Sequence, residues 1–268
     1  MLGELLSFLL TPASRHARRL GHVAEGIAIL ARHRRCRAAW QPHLLHCHAA
    51  ILAAVGACRR RERVVVLGSG GLLDVPLEEL AARFAQVVLI DVFHPRPALR
   101  RARRLANVVV LSHDLLGLDQ PGGWALAPSR LGAWRALVAP ADLVISVNLL
   151  AQLPLKPLDH WSGPPEKAEP WARAVMAAHL ADLRDGPGQA LLISEWRRQW
   201  FGLGGLTDEE APLAGLDLPP PSRLWTWDLA PRGELAGDEI LRVDIAAYAF
   251  GWGWLTNPPD CIGAIPAP

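Results

Sequence analysis

The stretch that decides the fold of this chain is Val64-Val65-Val66-Leu67-Gly68-Ser69-Gly70-Gly71. Four consecutive apolar residues, most of them β-branched, predict a short strand that is buried on both faces of a sheet. The glycines after them predict a tight turn where backbone N–H groups can approach a ligand closely, because glycine has no Cβ in the way. A helix is expected to begin near Pro76, and a helix N-terminus attracts negative and polar groups. This order of strand, glycine turn and helix favours nucleotide binding.

Strand and helix patterns alternate through the rest of the chain. Short apolar runs predict strands at 86–91, 107–111, 141–147 and 189–195, and helical spacing predicts helices at 76–84, 97–105 and 171–183. Strands separated by helices form parallel sheets that are covered on both faces. The segments 224–229 and 240–250 have no helical pattern between them and predict an antiparallel hairpin at one edge. We therefore expect an α/β fold with a seven-stranded, mostly parallel sheet and a C-terminal antiparallel hairpin.

The N-terminal part has a different pattern. Apolar residues recur at spacings of three and four between 11 and 57, which predicts amphipathic helices. Thr11 followed by Pro12 suits a helix start, and Pro42 predicts a break between two helices. The change to a strand pattern places a boundary near residue 60. We expect an N-terminal helical cap at 1–60 and the α/β domain at 61–268.

Composition excludes several classes of protein. The chain has 268 residues, of which 51% are hydrophobic and 20% charged, so it can bury a core and is not globally disordered. No apolar run approaches the roughly 18 to 20 residues that a membrane-spanning helix needs. The N-terminus has neither a basic start nor a clear cleavage site, which disfavours a secretory signal. Four cysteines without paired spacing, Cys36, Cys47, Cys58 and Cys261, favour free thiols in a reducing cytoplasm.

Positive charge is concentrated at the N-terminus. Residues 1–63 contain eleven arginines and three glutamates, although the whole chain has a net charge of only +2. Four of these arginines, together with Trp40, suit RNA phosphates or an acidic substrate. The same residues also suit a solvated helix face or a lid over the site. The four are Arg32, Arg34, Arg35 and Arg37.

Histidines and cysteines in the same segment raise the question of a metal. His43, His46 and Cys47 fall on one helical face, since offsets of three and four residues are neighbours on a helix. Their spacing matches no standard zinc pattern, and the surrounding arginines disfavour a cation. We therefore expect no metal ion.

Two carboxylates follow predicted strands. Asp91 ends the second strand, about twenty residues after the glycine turn, where it can accept hydrogen bonds from both hydroxyls of a ribose. Asp114 follows the third strand, so its side chain can emerge beside the same crevice. In open α/β sheets, ligands bind in the crevice outside the carboxyl ends of the strands. The sequence therefore predicts a nucleotide or nucleoside site there.

The succession of these motifs resembles the class I S-adenosylmethionine-dependent methyltransferases over about residues 62–250. The resemblance rests on the run 64–71 and on Val88-Leu89-Ile90-Asp91, Ser112-His113-Asp114 and Asp142-Leu143-Val144-Ile145-Ser146-Val147-Asn148-Leu149-Leu150. It implies a Rossmann-like fold, with a terminal hairpin as the family's hallmark, and S-adenosylmethionine as the cofactor. By this likeness the methionine portion would lie at Gly68, Ser69 and Gly70, the ribose at Asp91, and the adenine amine at Asp114. Methyl transfer would occur near Asn148 to Gln152.

The turn departs from related patterns at three positions. Val66 stands where the family commonly has an acidic residue, and Leu72 where a third glycine is common. Leu73 occupies the last position of the dinucleotide fingerprint Gly-x-Gly-x-x-Gly, which disfavours a nicotinamide-dependent oxidoreductase. The segment after the fourth strand also lacks the Asn-Pro-Pro-aromatic pattern of some amino-group methyltransferases. A non-catalytic binding module of this fold remains the main alternative.

Methyl transfer from a sulfonium is an in-line displacement that depends on alignment and exclusion of water, so that a base is optional. His160, in the loop after the fourth strand, and Glu195, at the end of the fifth, are the candidate bases. His160 alternatively is an exposed loop histidine, and Glu195 alternatively pairs with Arg197 or Arg198. Asn148 is expected either to position the substrate or to cap the strand. The acceptor remains open, with a small molecule favoured over RNA.

The eleven tryptophans are the unusual feature of the composition. Trp225 and Trp227 alternate on a predicted strand and therefore share one face. Trp196 and Trp200 follow a strand end, where they could form part of an acceptor pocket. Filling the core around the hairpin is the alternative role for most of them.

Overall fold

The computed structural model describes residues 11–119, 140–186 and 188–251. Its centre is one eight-stranded sheet in the order β3-β2-β1-β4-β5-β8-β7, with β6 paired to β5 outside that path. The strands are β1 Arg63–Leu67, β2 Gln86–Asp91, β3 Val108–Ser112, β4 Leu143–Val147, β5 Gln189–Gly202, β6 Gly205–Glu210, β7 Arg223–Ala230 and β8 Ile240–Phe250.

The sheet confirms the predicted fold class. The first five strands are parallel neighbours, and β7 and β8 form the antiparallel pair. The predicted path of seven strands is present, and β6 is added to it. β5 is also longer than the predicted 189–195, because β8 pairs with it as far as Phe201, whereas its parallel partner β4 reaches only Ile193.

The described helices lie before and between the strands. They are α1 Arg15–Arg19, α2 His22–Arg35, α3 Arg37–Ala57, α4 Leu77–Arg83, α5 Arg96–Ala102, α6 Leu155–Asp159 and α7 Ala168–Arg184, with 3₁₀ turns at Leu150–Gln152, Pro165–Lys167 and Ala236–Asp238.

Each face of the sheet has its own apolar core. On one face, Ile51 and Val55 of α3 belong to the cluster that contains Val64 and Val66 of β1. On the other face, α7 contributes to the cluster that contains Val65 and Leu67 of the same strand. The β-branched run thus sends alternate side chains to opposite faces, as a strand covered on both sides must.

Two predictions about the N-terminal helices were wrong: that a helix starts at Thr11, and that Pro42 separates two helices. The first helix of the described residues begins at Arg15, and Ser14 caps it by accepting a hydrogen bond from the Ala17 N–H at 3.0 Å. Pro42 does not break a helix, because α3 runs through it and the break comes at Cys36. A proline near the start of a helix removes one backbone hydrogen bond. Its neighbours Trp40 and His43 are buried against β7, and this packing holds the helix together.

None of the helices in the described part of the chain combines the length and apolarity needed to cross a lipid bilayer.

Candidate active-site cleft

A cleft of about 620 Å³ lies outside the carboxyl ends of the parallel strands. The glycine turn after β1 and the ends of β2, β3 and β4 form one part of it. Residues of β5 and β7 form another part, and α2 and α3 cover it. The crevice expected from the topology is therefore present, and it extends beyond the nucleotide side toward the antiparallel strands.

The glycine turn brings the backbone to the floor of the cleft. Gly68 has a φ of +77°, and a Cβ on it would come within 2.7 Å of the Val147 carbonyl oxygen. Only glycine fits this position. Gly70 donates its N–H to Asp91 Oδ2 at 2.8 Å, and both glycines line the cleft. Ser69 is buried, and its hydroxyl lies 2.8 Å from His94 Nε2, so its side chain is not part of the lining.

Asp91 lies at the end of β2 with its carboxylate in the cleft. Removal from water raises its pKa to about 6, although backbone N–H groups, led by that of Gly70, oppose the shift. The carboxylate is thus anchored by the turn and poised to ionise near neutral pH. This is the position predicted from the sequence.

Asp114 also lines the cleft, but its oxygens are shared. Oδ1 accepts from the Leu116 N–H at 2.9 Å, and Oδ2 accepts from the Leu118 N–H at 3.0 Å. His16 of α1 places Nε2 3.0 Å from the same Oδ2. The structure therefore brings Asp91 and Asp114 to one cleft, with Asp114 held by its own loop and by the N-terminal helices.

Asn148 follows β4 in a left-handed conformation, with a φ of +47°. Its Nδ2 donates to Asp74 Oδ2 at 2.7 Å. Burial raises the pKa of Asp74, and the hydrogen bond from Asn148 opposes that shift. Both side chains line the cleft, so this hydrogen bond joins the end of β4 to the segment after the glycine turn.

Glu195 and Arg198 line the far part of the cleft as an ion pair. Arg198 Nε donates to Glu195 Oε2 at 2.9 Å, and its Nη2 donates to Oε1. Alternation along a strand would place these two side chains on opposite faces. A bulge in the pairing of β5 with β8, between Glu195 and Arg197, inserts one residue and returns Arg198 to the face of Glu195.

His160 is placed apart from the other predicted residues. It is exposed at the end of α6, where its backbone N–H donates to the Pro157 carbonyl at 3.0 Å. It is not among the described residues that line the cleft. The structure thus brings together Gly68, Gly70, Asp91, Asp114, Asn148 and Glu195, and does not bring His160 or the Ser69 side chain to them.

The lining of the cleft includes Asp74 and His43, neither of which was predicted as a site residue. The sequence predicts no role for Asp74, and the pattern around His43 raises only the question of a metal. The His43 ring stacks on Trp227 at 4.0 Å and 6°. A signal for Asp74 existed, since it is an acidic residue shortly after the turn that is predicted to bind a ligand. His43 had no such signal, because its partners lie on strands far along the chain.

No protein-family model matches the chain, and a search of curated proteins finds no match. The parallel strands β1 to β5 and the antiparallel last pair are what the resemblance implies. The fold is class I methyltransferase-like.

Solved structures with a detected likeness include three methyltransferases. They are 1,6-didemethyltoxoflavin-N1-methyltransferase from Burkholderia thailandensis (14% identity, 84% of this chain and 89% of that one, TM-score 0.37), magnesium protoporphyrin IX methyltransferase from Synechocystis (18%, 77% and 79%, 0.36) and N-methyltransferase NodS from Bradyrhizobium japonicum (14%, 71% and 78%, 0.36). Scores this low assign neither an activity nor a substrate to the chain.

Proposed function

We propose that this protein is an S-adenosylmethionine-dependent methyltransferase that acts on a small molecule. The observation that carries the proposal is the Asp91 carboxylate, tied to the Gly70 N–H at the end of β2 and facing a cleft that continues to Asn148 and Glu195. One cleft thus offers a nucleoside site and room for a second reactant beside it.

The residues present suit this cofactor. Gly68 and Gly70 line the cleft, and because they have no Cβ, the turn can pack closely against Val147 and Asp91. Asp91 would accept hydrogen bonds from the ribose hydroxyls, and Asp114, with its remaining lone pairs, would meet the adenine amine. Bound S-adenosylmethionine supplies an electrophilic methyl group on sulfur. The protein's part is to hold the acceptor in line with that group and to exclude water.

The arginines of α2 and α3 support a small molecule over RNA. Arg35 makes two hydrogen bonds of 2.8 Å to Glu234, and Arg32 lies 3.7 Å from the same carboxylate. These two arginines therefore hold the N-terminal helices against the turn before β8. Arg34 and Arg37 line a separate cavity of about 480 Å³.

In this proposal Asn148 positions the acceptor. Glu195 can act as a base only when its ion pair with Arg198 is broken. His160 would need to move to reach the cleft, so we assign it no role in the reaction. Three described cysteines, Cys36, Cys47 and Cys58, are free and buried, which supports a reducing, cytoplasmic setting.

The test is the unfolding midpoint of the protein with S-adenosylmethionine, S-adenosylhomocysteine or NAD. A ligand that binds only the folded state stabilises it, by about 2.7 kcal/mol at a hundred times its dissociation constant. We expect the two sulfur ligands to raise the midpoint and NAD to leave it unchanged. A shift with NAD alone would point to an oxidoreductase. No shift with any of them would favour a non-catalytic binding module.

A further inference from the structure

The imidazole of His43 is held in one orientation where α3 meets β7. The side chain is 1% exposed. Its Nδ1 accepts the indole N–H of Trp225 at 3.1 Å, and its ring stacks on Trp227. These contacts cross from the N-terminal helices to the last strands and leave His43 at the wall of the cleft.

The contact with Trp225 decides which nitrogen carries the hydrogen. An indole N–H can only donate, so Nδ1 must offer its lone pair. A neutral imidazole then has its hydrogen on Nε2. Burial lowers the pKa of His43 to about 3, so the ring is neutral at physiological pH. His43 is therefore a hydrogen-bond donor at Nε2 and has no free lone pair with which to act as a base.

A second donor faces the first. Asn148 Nδ2 lies 3.4 Å from His43 Nε2, and its other hydrogen is directed to Asp74 Oδ2. The Asp74 contact fixes the amide with its nitrogen toward His43. Cys47 Sγ lies 3.6 Å from Nε2 and also interacts with the Asn148 side chain, but a thiol sulfur is only a weak acceptor. Two N–H donors that converge without a good acceptor leave hydrogen-bonding capacity unused, and this disfavours the empty arrangement.

We propose that the Nε2–H of His43 and the Nδ2–H of Asn148 together bind one lone-pair atom of the methyl acceptor, a carbonyl oxygen or ring nitrogen of a planar conjugated molecule. The inference rests on the proposed function, since it assigns this part of the cleft to the acceptor. Trp200 lines the same cleft and suits a flat molecule. Trp227 Nε1 is buried and finds no partner among the described residues, so a further donor is available nearby.

The bound atom is not the one that is methylated. A lone pair held by two hydrogen bonds is not available to attack the methyl carbon, so the nucleophile is a neighbouring atom of the same molecule. The donor pair orients the acceptor, and the reaction needs no proton transfer to His43.

Binding of two probes of matched shape tests the donor pair. 2-Quinolone is planar and has a carbonyl oxygen, whereas naphthalene has no lone pair. We expect calorimetry or tryptophan fluorescence to show that the protein binds 2-quinolone more tightly. His43→Phe, which keeps a ring on Trp227, should weaken 2-quinolone binding roughly five- to tenfold and leave naphthalene binding unchanged. The control is His46→Phe, because His46 is exposed one turn further along α3 and stacks on Trp225.

Equal losses for both probes, or no preference for 2-quinolone in the wild-type protein, would overturn the proposal. Nitrogen NMR of the ¹⁵N-histidine-labelled wild-type protein is an independent test. It should show a His43 ring with its hydrogen on Nε2 from pH 5 to 8, and Trp225→Phe should remove the hydrogen bond to Nδ1 of that ring. A charged ring, or a hydrogen on Nδ1, would also overturn it. Failure of S-adenosylmethionine binding alone would refute the proposed function and leave these results interpretable.

Discussion

At the scale of single residues, the turn after β1 contains an unusual leucine. Leu72 has a φ of +56° and is buried in the core. A left-handed conformation costs a residue with a Cβ about 1 to 2 kcal/mol, and glycine avoids this cost. Leu72 therefore keeps a backbone conformation that suits glycine, at the position where the methyltransferases that the sequence resembles commonly have a third glycine. Its buried side chain offsets the strain.

Leu72→Gly should consequently be no less stable than Leu72→Ala, since both lose the same packing and only glycine relieves the strain. At an ordinary position, glycine is less stable than alanine by roughly 0.5 to 1 kcal/mol. Urea unfolding of both variants measures the difference. The matched control is Leu73, which lacks a positive φ and should show the ordinary order. An ordinary order at Leu72 would contradict the strain.

Asp91 leads to a prediction about pH. If the ionised carboxylate accepts the ribose hydroxyls, protonation competes with cofactor binding. Because its pKa in the free protein is raised to about 6, affinity for S-adenosylhomocysteine should be constant above that pH and fall by about tenfold per unit below it. Calorimetry between pH 5 and 8 measures the profile.

Asp91→Asn should weaken the binding by about 1 to 3 kcal/mol and abolish this pH dependence. Asn retains an oxygen for the Gly70 N–H, so the turn is preserved. Asp208→Asn, on exposed β6, is the control and should bind as the wild type does. An unchanged affinity in Asp91→Asn would remove Asp91 from the site.

At the scale of elements, the bulge in β5 creates the pair of Glu195 and Arg198. Both side chains are largely buried, with 11% and 16% exposed. Removing one partner of a buried pair leaves a charge with less compensation, and Glu210 near Arg198 lessens that penalty. Glu195→Gln should therefore lower the free energy of unfolding by about 2 to 3 kcal/mol.

The control for this prediction is Asp228→Asn. Asp228 and its partner Arg242 are both 48% exposed, and exposed pairs typically contribute less than about 1 kcal/mol. Urea unfolding measures the free energy of unfolding of both variants. A similarly small decrease in both would mean that the pair of Glu195 and Arg198 does not stabilise the fold.

At the scale of the whole molecule, the N-terminal helices share a core with the sheet. Ile51 and Val55 of α3 lie in the cluster of Val64 and Val66. Trp40 Nε1 donates to the Leu229 carbonyl at 2.9 Å. The division into a cap at 1–60 and a domain at 61–268 stays a prediction, and this shared core leads us to propose that the two parts fold as one unit.

Thermal unfolding followed by far-ultraviolet circular dichroism and by tryptophan fluorescence should therefore give one midpoint. Trp40→Phe removes the hydrogen bond to Leu229, which should reduce the free energy of unfolding by about 1 kcal/mol. Both methods should then report the same lowered midpoint. Two separate transitions would instead make residue 60 the boundary of an independent folding unit.

Local pattern determined much of this protein. The run of valines, the glycines and the carboxylates at strand ends predicted β1, β2 and the part of the cleft beside the glycine turn, because burial, turn conformation and strand direction depend on neighbouring residues. The β7–β8 hairpin was predicted for the same reason. These features need no knowledge of what packs against them beyond the sheet itself.

Tertiary structure decided the part of the cleft that we propose for the acceptor. His43 meets Trp225, 182 positions away, and Asn148, 105 positions away, and no periodicity records such a pairing. Glu195 pairs with Arg198 rather than with Arg197 because of the bulge, and the bulge arises from the pairing of β5 with β8. Pro42 stayed helical because packing on β7 outweighed its local preference. Each of these features depends on contacts between parts of the chain that are far apart in the sequence, so it can be identified only in the folded chain.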